Sequence, residues 1–258
     1  MTAKEVELGL KGAKVKVVSL ALIISAAVTV AILSLPEFIE PLARSIISSM
    51  GPYWLLAVFV VGVVHGLKPD EHTWPITVSY GLMQRDVRGV VAAVSVFAGA
   101  LTLIWTLMSA LVGQVIGLLQ TPLHGPVVDI AVGITMVGVA AYLVFSEHEN
   151  SGEVKTADYK MIWIHGLAAA FGGDFFIVLV MATILVPVIS SGTSFLVGLM
   201  FSLGSWAAQL AVVVLIYKGV FKGLKDWQLV SGAARFALGI LGLFMIGLGI
   251  YSLLYPRS

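Results

Sequence analysis

Apolar runs long enough to cross a membrane recur along almost the whole chain, and this feature most limits what it can fold into. A hydrocarbon core of about 30 Å requires roughly 20 apolar residues in a helix. Charged residues make up only 11% of the 258 positions, against about a quarter in soluble domains. We therefore expect an all-α, polytopic membrane protein with one transmembrane domain and no soluble domain. Hydropathy predicts seven spans, at 15–35, 54–83, 89–118, 126–145, 161–189, 194–217 and 233–254.

The chain contains no cysteine, which excludes disulfides, thiolate metal ligands, cysteine nucleophiles and dithiol relays. The N-terminal segment "MTAKEVELGLKGAKVKVV" has the charge of a signal-sequence n-region. The apolar run that follows it is too long for a signal-peptide core, and no convincing cleavage site is present. We expect a retained first helix.

Basic residues predict the orientation of the spans, because Lys and Arg accumulate in cytoplasmic connections. With the N-terminus inside, twelve basic residues fall in cytoplasmic segments and two in external ones. We therefore expect a multi-pass protein of the cell membrane with a cytoplasmic N-terminus and an external C-terminus. The twelve are Lys4, Lys11, Lys14, Lys16, Arg85, Arg88, Lys155, Lys160, Lys218, Lys222, Lys225 and Arg235, and the two are Arg44 and Arg257.

An internal repeat is also visible. The tripeptide "HGL" occurs at 65–67 and again at 165–167, and each copy is followed within ten residues by an aspartate, Asp70 or Asp174. Setting the first span aside leaves three spans plus three, and because three is odd the second set crosses the membrane in the opposite direction. Inverted repeats of this kind occur in secondary transporters. The predicted division is an N-terminal helix and connection (1–53), a first repeat (54–145) and a second repeat (161–254).

The segment "HGLKPDEHTWP", residues 65–75, places ionisable side chains inside the second span. Pro69 and Pro75 lack the N–H that a continuous helix requires, so we expect this span to be broken between residues 65 and 75. At 1.5 Å per residue, His65 lies about 17 Å from Trp54 at the outer end of the span. Ionisable groups at that depth are costly and usually functional.

The residue types in this segment are those of a metal site. Imidazole and carboxylate groups without thiolates suit divalent ions such as Ni²⁺, Co²⁺, Zn²⁺, Fe²⁺ and Mn²⁺. His65 and His72 are seven residues apart, which places them on one face of a helix. The predicted ligands from the first repeat are His65, Asp70, Glu71 and His72. Hydrogen bonding between helices is the structural alternative for these side chains.

In the second repeat, His165 and Asp174 are the candidates to complete the site. They are nine residues apart, on opposite faces of a straight helix, so they meet only if Gly172 and Gly173 break it. The structural alternative, simple helix packing, weighs more here than in the first repeat. The remaining histidines are expected in connections. His124 and Asp129 are either solvated or gather cations at the outer mouth, and His148 belongs to a loop.

The segment "HGLKPDEHTWPIT" resembles the signature of the nickel/cobalt transporters of the NiCoT and NicO types, in the lysine-exporter superfamily. His65, Leu67, Pro69, Asp70 and His72 occupy the positions of that signature, with Glu71 as an additional residue. "FGGDFF" at 171–176 is similar to a degenerate second NiCoT motif. "FSLGSW" at 201–206 is similar to a third motif, with Ser205 in place of its histidine. The resemblance implies nickel or cobalt as the transported ion.

These observations lead to one function and two alternatives. The expected function is a secondary transporter or permease for a divalent transition-metal cation, not an enzyme, with Ni²⁺ or Co²⁺ as substrate and Zn²⁺, Mn²⁺ or Fe²⁺ as further options. Its expected partners are membrane lipids and the metal ion, without nucleic acid, and a homo-oligomer is left open. The alternatives are an intramembrane zinc-dependent hydrolase and an exporter of a small organic solute on the same scaffold.

Overall fold

The computed structural model describes residues 3–34, 39–70, 72–114, 125–149, 158–171, 173–185, 189, 191–224 and 226–255. Within these ranges the chain is helical and contains no strand, which confirms the predicted all-α class. The helices are α1 (Ala3–Ser34), α2 (Ile39–Met50), α3 (Trp54–Leu67), α4 (Trp74–Leu82), α5 (Val87–Gln114), α6 (Gly125–Glu149), α7 (Tyr159–Ala169), α8 (Gly173–Leu185), α9 (Phe195–Gly223) and α10 (Trp227–Leu254). Short 3₁₀ turns, Gly51–Tyr53 and Ser191–Thr193, precede α3 and α9.

Four helices in the described part of the chain are long and apolar enough to cross a membrane. They coincide with the first, third, sixth and seventh predicted spans, and they indicate a membrane protein. The apolar stretches of the other predicted spans are shorter, so the count of seven stays a prediction. The four long stretches are Gly12–Ser34, Val87–Val112, Phe195–Phe221 and Trp227–Leu254.

The second predicted span is broken where the prolines indicate. Helix α3 ends at Leu67, and α4 begins at Trp74. Lys68, which precedes Pro69, has φ −73° and ψ 126°, the extended conformation that a following proline ring imposes. Pro75 lies in the first turn of α4, where its missing N–H has no helical partner to lose.

The fifth predicted span is broken too, so a continuous helix over 161–189 is wrong. Helix α7 ends at Ala169 and α8 begins at Gly173. The break falls beside the Gly172–Gly173 pair, because glycine is a poor helix former. Gly172 itself lies outside the described residues. Both copies of "HGL" therefore stand in the last turns of a short helix that ends before a break.

Two further findings differ from expectation. Helix α2 lies in a segment expected to be a plain connection, and it packs against α3 and α8.

Arg235, counted above among the cytoplasmic basic residues, is 1% exposed inside α10, where its guanidinium donates to the carbonyl of Leu143 near the end of α6. This residue therefore belongs to the packing of the helices rather than to a solvated connection.

Close approaches at glycines fix how the broken helices pack. A methyl group at Gly66 would overlap the backbone of Ser205 on α9, and one at Gly62 would overlap the carbonyl of Phe201. A methyl group at Gly166 on α7 would lie 2.7 Å from the carbonyl oxygen of Phe97 on α5. Helix α3 therefore packs against α9, and α7 packs against α5, with backbones almost touching. Helices α6 and α10 pack along each other, and α1 packs on α10.

Candidate metal site

The break between α3 and α4 is buried in the protein interior. His65, Asp70 and His72 are 2%, 5% and 3% exposed. Glu71, the fourth predicted ligand of the first repeat, lies outside the described residues. Ionisable side chains in such surroundings are costly unless they are paired or bind a metal ion. The structure therefore buries three of the predicted first-repeat ligands, with Asp70 and His72 in the turn between the helices and His65 in the last turn of α3.

The carboxylate of Asp70 closes the turn that leads into α4. Its Oδ1 atom accepts hydrogen bonds from the backbone N–H groups of His72, at 2.9 Å, and Thr73, at 2.6 Å. Its Oδ2 atom accepts from the hydroxyl of Thr73. Two of these bonds hold the backbone of the turn, and the third holds the side chain of Thr73, the N-cap residue of α4, so the position of the carboxylate follows from the fold of the turn.

A residue of the second half reaches this turn from α9. The side-chain amide of Gln209 donates to the Thr73 hydroxyl oxygen at 2.6 Å, and both side chains are buried. Gln209, Thr73 and Asp70 thus form a continuous chain of hydrogen bonds from α9 to the carboxylate.

His65 packs against the rings of Phe201 and Trp105, whose own centroids are 5.3 Å apart. The ring centroids of His65 and Phe201 are 5.1 Å apart, and those of His65 and Trp105 are 6.4 Å apart in an edge-on arrangement. The indole N–H of Trp105 donates to the carbonyl of Ala170 at 2.8 Å. That carbonyl follows the last residue of α7. Trp105 on α5 therefore contacts His65 beside the break between α3 and α4, and Ala170 in the break between α7 and α8.

His165 is buried, and its partner belongs to the other half of the chain. Its Nδ1 atom lies 2.7 Å from the hydroxyl oxygen of Tyr80 on α4, and both residues are 1% exposed. The imidazole also lies beside the backbone of Thr135 on α6, and no described side chain pairs with its Nε2 atom. A hydrogen bond to one ring nitrogen sets which nitrogen is left to act as a metal ligand.

The predicted ligands do not all converge in this conformation. Asp70 and His72 share one turn, His65 lies in its aromatic surroundings, and His165 is paired with Tyr80. No group of three or more His, Asp or Glu residues in the described part of the chain is arranged to hold a metal ion. Asp129 and His148, expected in connections, both lie within helix α6, so that expectation is wrong. The side chains of Asp174, Asp129 and His148, and all of Glu71 and His124, lie outside what the structure describes.

Four residues of this region were not singled out from the sequence. Nothing in the local sequence of Trp105 marks it as the contact between the two breaks. Tyr80 follows the motif by only five residues, but its partner is 85 positions away. A detectable signal existed for Gln209, because it is a lone amide inside the apolar run "GSWAAQLAVVV", and for Thr73, which lies within the motif itself.

Comparison of this chain with protein-family models, with curated proteins and with solved structures finds no match. The resemblance of the first motif to the nickel/cobalt transporters therefore stays a prediction from the residues.

Proposed function

We propose that this protein is a secondary transporter or permease for a divalent transition-metal cation, of which Ni²⁺ and Co²⁺ are the first candidates. In this proposal, six of its seven spans form an inverted 3+3 repeat that follows the first helix. The cation binds where the two broken helices meet, near the middle of the membrane. Transporters of this kind use discontinuous helices for their sites, because the ends of the helices expose backbone groups that can bind ions.

The observation that carries the proposal is the position of Trp105 between the two breaks. Its ring contacts His65, and its N–H binds the carbonyl at the end of α7. Two interrupted helices, 100 residues apart in the chain, thus approach one side chain in the interior. Backbone that departs from helix at membrane depth is tolerated where it is buried in protein or lines a cavity, which agrees with a site between the two breaks.

Reciprocal packing supports the repeat. Helix α3, which ends in the first "HGL" copy, packs on α9 of the second half. Helix α7, which carries the second copy, packs on α5 of the first half. In both copies the glycine after the histidine lies where an added methyl group would overlap the partner helix. The third helices of the two halves, α6 and α10, also pack on each other. Two halves related by a two-fold axis produce this exchange of partners.

The donor set supports a transition metal as the substrate. His65 and His72 provide imidazoles, Asp70 and Glu71 provide carboxylates, and the chain has no thiolate. Such ligands suit Ni²⁺, Co²⁺, Zn²⁺, Fe²⁺ and Mn²⁺. His165, with Asp174, is the contribution proposed for the second half. The sequence has no nucleotide-binding signature, so an ion gradient, the membrane potential or a partner protein drives transport.

Histidine variants test the proposal. We expect His65→Ala and His72→Ala to abolish metal binding, because each removes an imidazole that water replaces poorly, whereas His165→Ala weakens binding. Binding should also decline as the pH falls, since imidazole must be neutral to coordinate a metal. Calorimetry of the purified protein with Ni²⁺, Co²⁺, Zn²⁺ and Mn²⁺ measures these effects. His148→Ala is the control and should bind like the parent.

The contrary result is clear. If His65→Ala and His72→Ala bind every metal of the panel as the parent does, the motif is not the metal site. Export of a small organic solute would then become the preferred function.

A further inference from the structure

We propose that one phospholipid with a zwitterionic headgroup binds beside α1, with its phosphate at Lys16, its ammonium group at Asp226 and an acyl chain held between α1, α4 and α9. Two hollows along one face of α1 support this site. The first has a volume of about 470 Å³ and an apolar lining, and the second has a volume of about 530 Å³ and a partly polar lining. Lipid binding here goes beyond the proposed transport function and does not depend on it.

The apolar hollow is a groove between three helices, and the residues that line it are apolar. Its walls run from Leu20 to Ala31 on α1, from Trp74 to Leu82 on α4 and from Ile216 to Leu224 on α9. Ile23 lines the groove and is 63% exposed, so the groove opens at the surface of the protein. At 1.5 Å per residue, the wall on α1 is about 16 Å long, roughly half of a hydrocarbon core of about 30 Å. The groove therefore has the depth of one lipid leaflet.

Small residues leave the groove open. Helix α1 is packed on α10 through Ala21, Ala233 and Ala237. On α9, Gly219 and Gly223 line the groove, and a methyl group at either would meet nothing within 4 Å. An apolar space of this kind stays dry, and an unfilled space forfeits the dispersion contacts of its lining. In a membrane, a hydrocarbon chain in the groove restores those contacts.

The polar hollow continues the groove at the membrane boundary. It lies where the apolar spans of α1 and α10 begin. On α1, Val17 lines the polar hollow and Leu20 lines the groove, three residues apart and therefore on one face of the helix. On the other side, Leu224 lines the groove and Asp226 lines the polar hollow, two residues apart. The order from polar to apolar is that of a phospholipid, from headgroup to chain.

The charges in the polar hollow favour a zwitterionic headgroup. Among the described residues that line it, Lys16 is the cation and Asp226 the anion, and both side chains are exposed. Asp226 is held as the N-cap of α10, because its Oδ1 atom accepts from the backbone N–H of Leu229 at 3.1 Å. A phosphate pairs with Lys16 and a primary ammonium group with Asp226. A lipid with negative charge alone would meet the Asp226 carboxylate as a like charge, so phosphatidylethanolamine fits this lining better than phosphatidylglycerol.

Native mass spectrometry of the full-length protein in detergent micelles tests the site. The protein is titrated with dioleoyl phosphatidylethanolamine and with dioleoyl phosphatidylglycerol, which have the same chains. We expect the parent to bind its first phosphatidylethanolamine molecule about 10-fold more tightly than phosphatidylglycerol, the effect of one charge-assisted contact.

Filling the groove tests the position of the chain. Gly219→Leu places a side chain in the groove, and its Cβ meets no protein atom within 4 Å. Displacing about two methylene groups of the lipid weakens binding by roughly 10-fold. Gly247→Leu on α10 is the matched control and should bind like the parent, because a Cβ there also meets nothing within 4 Å and Gly247 lines neither hollow. Gly223→Leu replaces Gly219→Leu if circular dichroism shows that the latter does not fold.

Changing one charge at a time tests the position of the headgroup. Lys16→Gln removes the partner of the phosphate and should weaken the binding of both lipids by about 10-fold. Asp226→Asn removes the negative charge but keeps a good N-cap residue for α10. The preference for phosphatidylethanolamine should therefore disappear in Asp226→Asn.

Several results would overturn the proposal. If Gly219→Leu and Gly247→Leu bind phosphatidylethanolamine equally well, the lipid lies elsewhere on the protein surface. The headgroup assignment fails if the parent prefers phosphatidylglycerol, or if Asp226→Asn keeps the preference of the parent. A parent that binds neither lipid also refutes the site, and a parent dimer that Gly219→Leu dissociates would show that a second copy of the chain fills the groove. The readout is lipid binding alone, so failure of this site and failure of the proposed function are distinguishable.

Discussion

At the scale of residues, Tyr80 and His165 form a direct contact between the first and second parts of the chain. Tyr80 comes from α4 and His165 from α7, and their 2.7 Å contact is fully buried. In an apolar interior, the loss of one partner leaves the other without a hydrogen bond, which costs more than the bond itself contributes. The pair is therefore a stabilising contact between α4 and α7, in which either the Tyr80 hydroxyl or the Nδ1–H group of His165 is the donor.

We predict that Tyr80→Phe destabilises the protein by about 1–2 kcal/mol, because it leaves the Nδ1 atom of His165 buried without its partner. Unfolding of the purified protein in mixed micelles, followed by circular dichroism, measures the change. Tyr142→Phe is the control, since that ring is 56% exposed on α6 and its loss of a hydroxyl should have little effect. A Tyr80→Phe variant as stable as the parent would show that the contact contributes nothing to folding.

The sequence located the ionisable residues of the site but not their partners. Composition marks His65, Asp70 and His72, because charges and imidazoles are conspicuous in an apolar chain. It does not reveal that three bonds already hold the Asp70 carboxylate, nor that His165 faces Tyr80. Such pairings depend on how distant helices pack, and the local sequence around one partner does not indicate where the other partner lies.

Among the helices, the two breaks show what local sequence can and cannot predict. Pro69 acts on its own neighbours through sterics and a missing N–H, so the end of α3 was predictable. The break between α7 and α8 depends on glycines, which permit an interruption without requiring one. Helix α2 was missed because it has 12 residues, too few for a span. Its signal was the spacing of Ile39, Leu42, Ile46 and Met50, which is helical.

The glycines of the two "HGL" copies give a prediction at this scale. Gly66→Ala and Gly166→Ala should each destabilise the protein by about 1–3 kcal/mol, because the added methyl group meets backbone that cannot move aside. Gly138→Ala is the matched control, since a Cβ there meets nothing within 4 Å. Replacing glycine by alanine in an open helix stabilises it by up to about 1 kcal/mol. If Gly66→Ala and Gly166→Ala lower the thermal unfolding temperature while Gly138→Ala raises it, the close packing is supported. Equal shifts at all three positions would contradict it.

For the whole molecule, the number of membrane crossings decides whether the inverted repeat is possible. Under the proposed function, α3 with α4 and α7 with α8 each form one crossing, although each is divided into pieces shorter than a membrane span. Length and apolarity alone identify four crossing helices among the described residues. Charge remains as the guide to topology, and it stays strongly asymmetric when the buried Arg235 is left out of the count of cytoplasmic residues.

The parity of the crossings gives the sharpest test. Seven crossings place the two termini on opposite sides of the membrane, whereas four place them on the same side. The chain has no cysteine, so single cysteines at Thr2, Thr156 and Ser258 can be labelled without background. With a cytoplasmic N-terminus, we expect an impermeant maleimide to label Ser258→Cys in intact cells, and to label Thr2→Cys and Thr156→Cys only after permeabilisation. If Ser258→Cys is protected in intact cells together with Thr2→Cys, the number of crossings is even. The two halves could then not be an inverted 3+3 repeat after a single helix, and the site would have to be explained without opposed repeats.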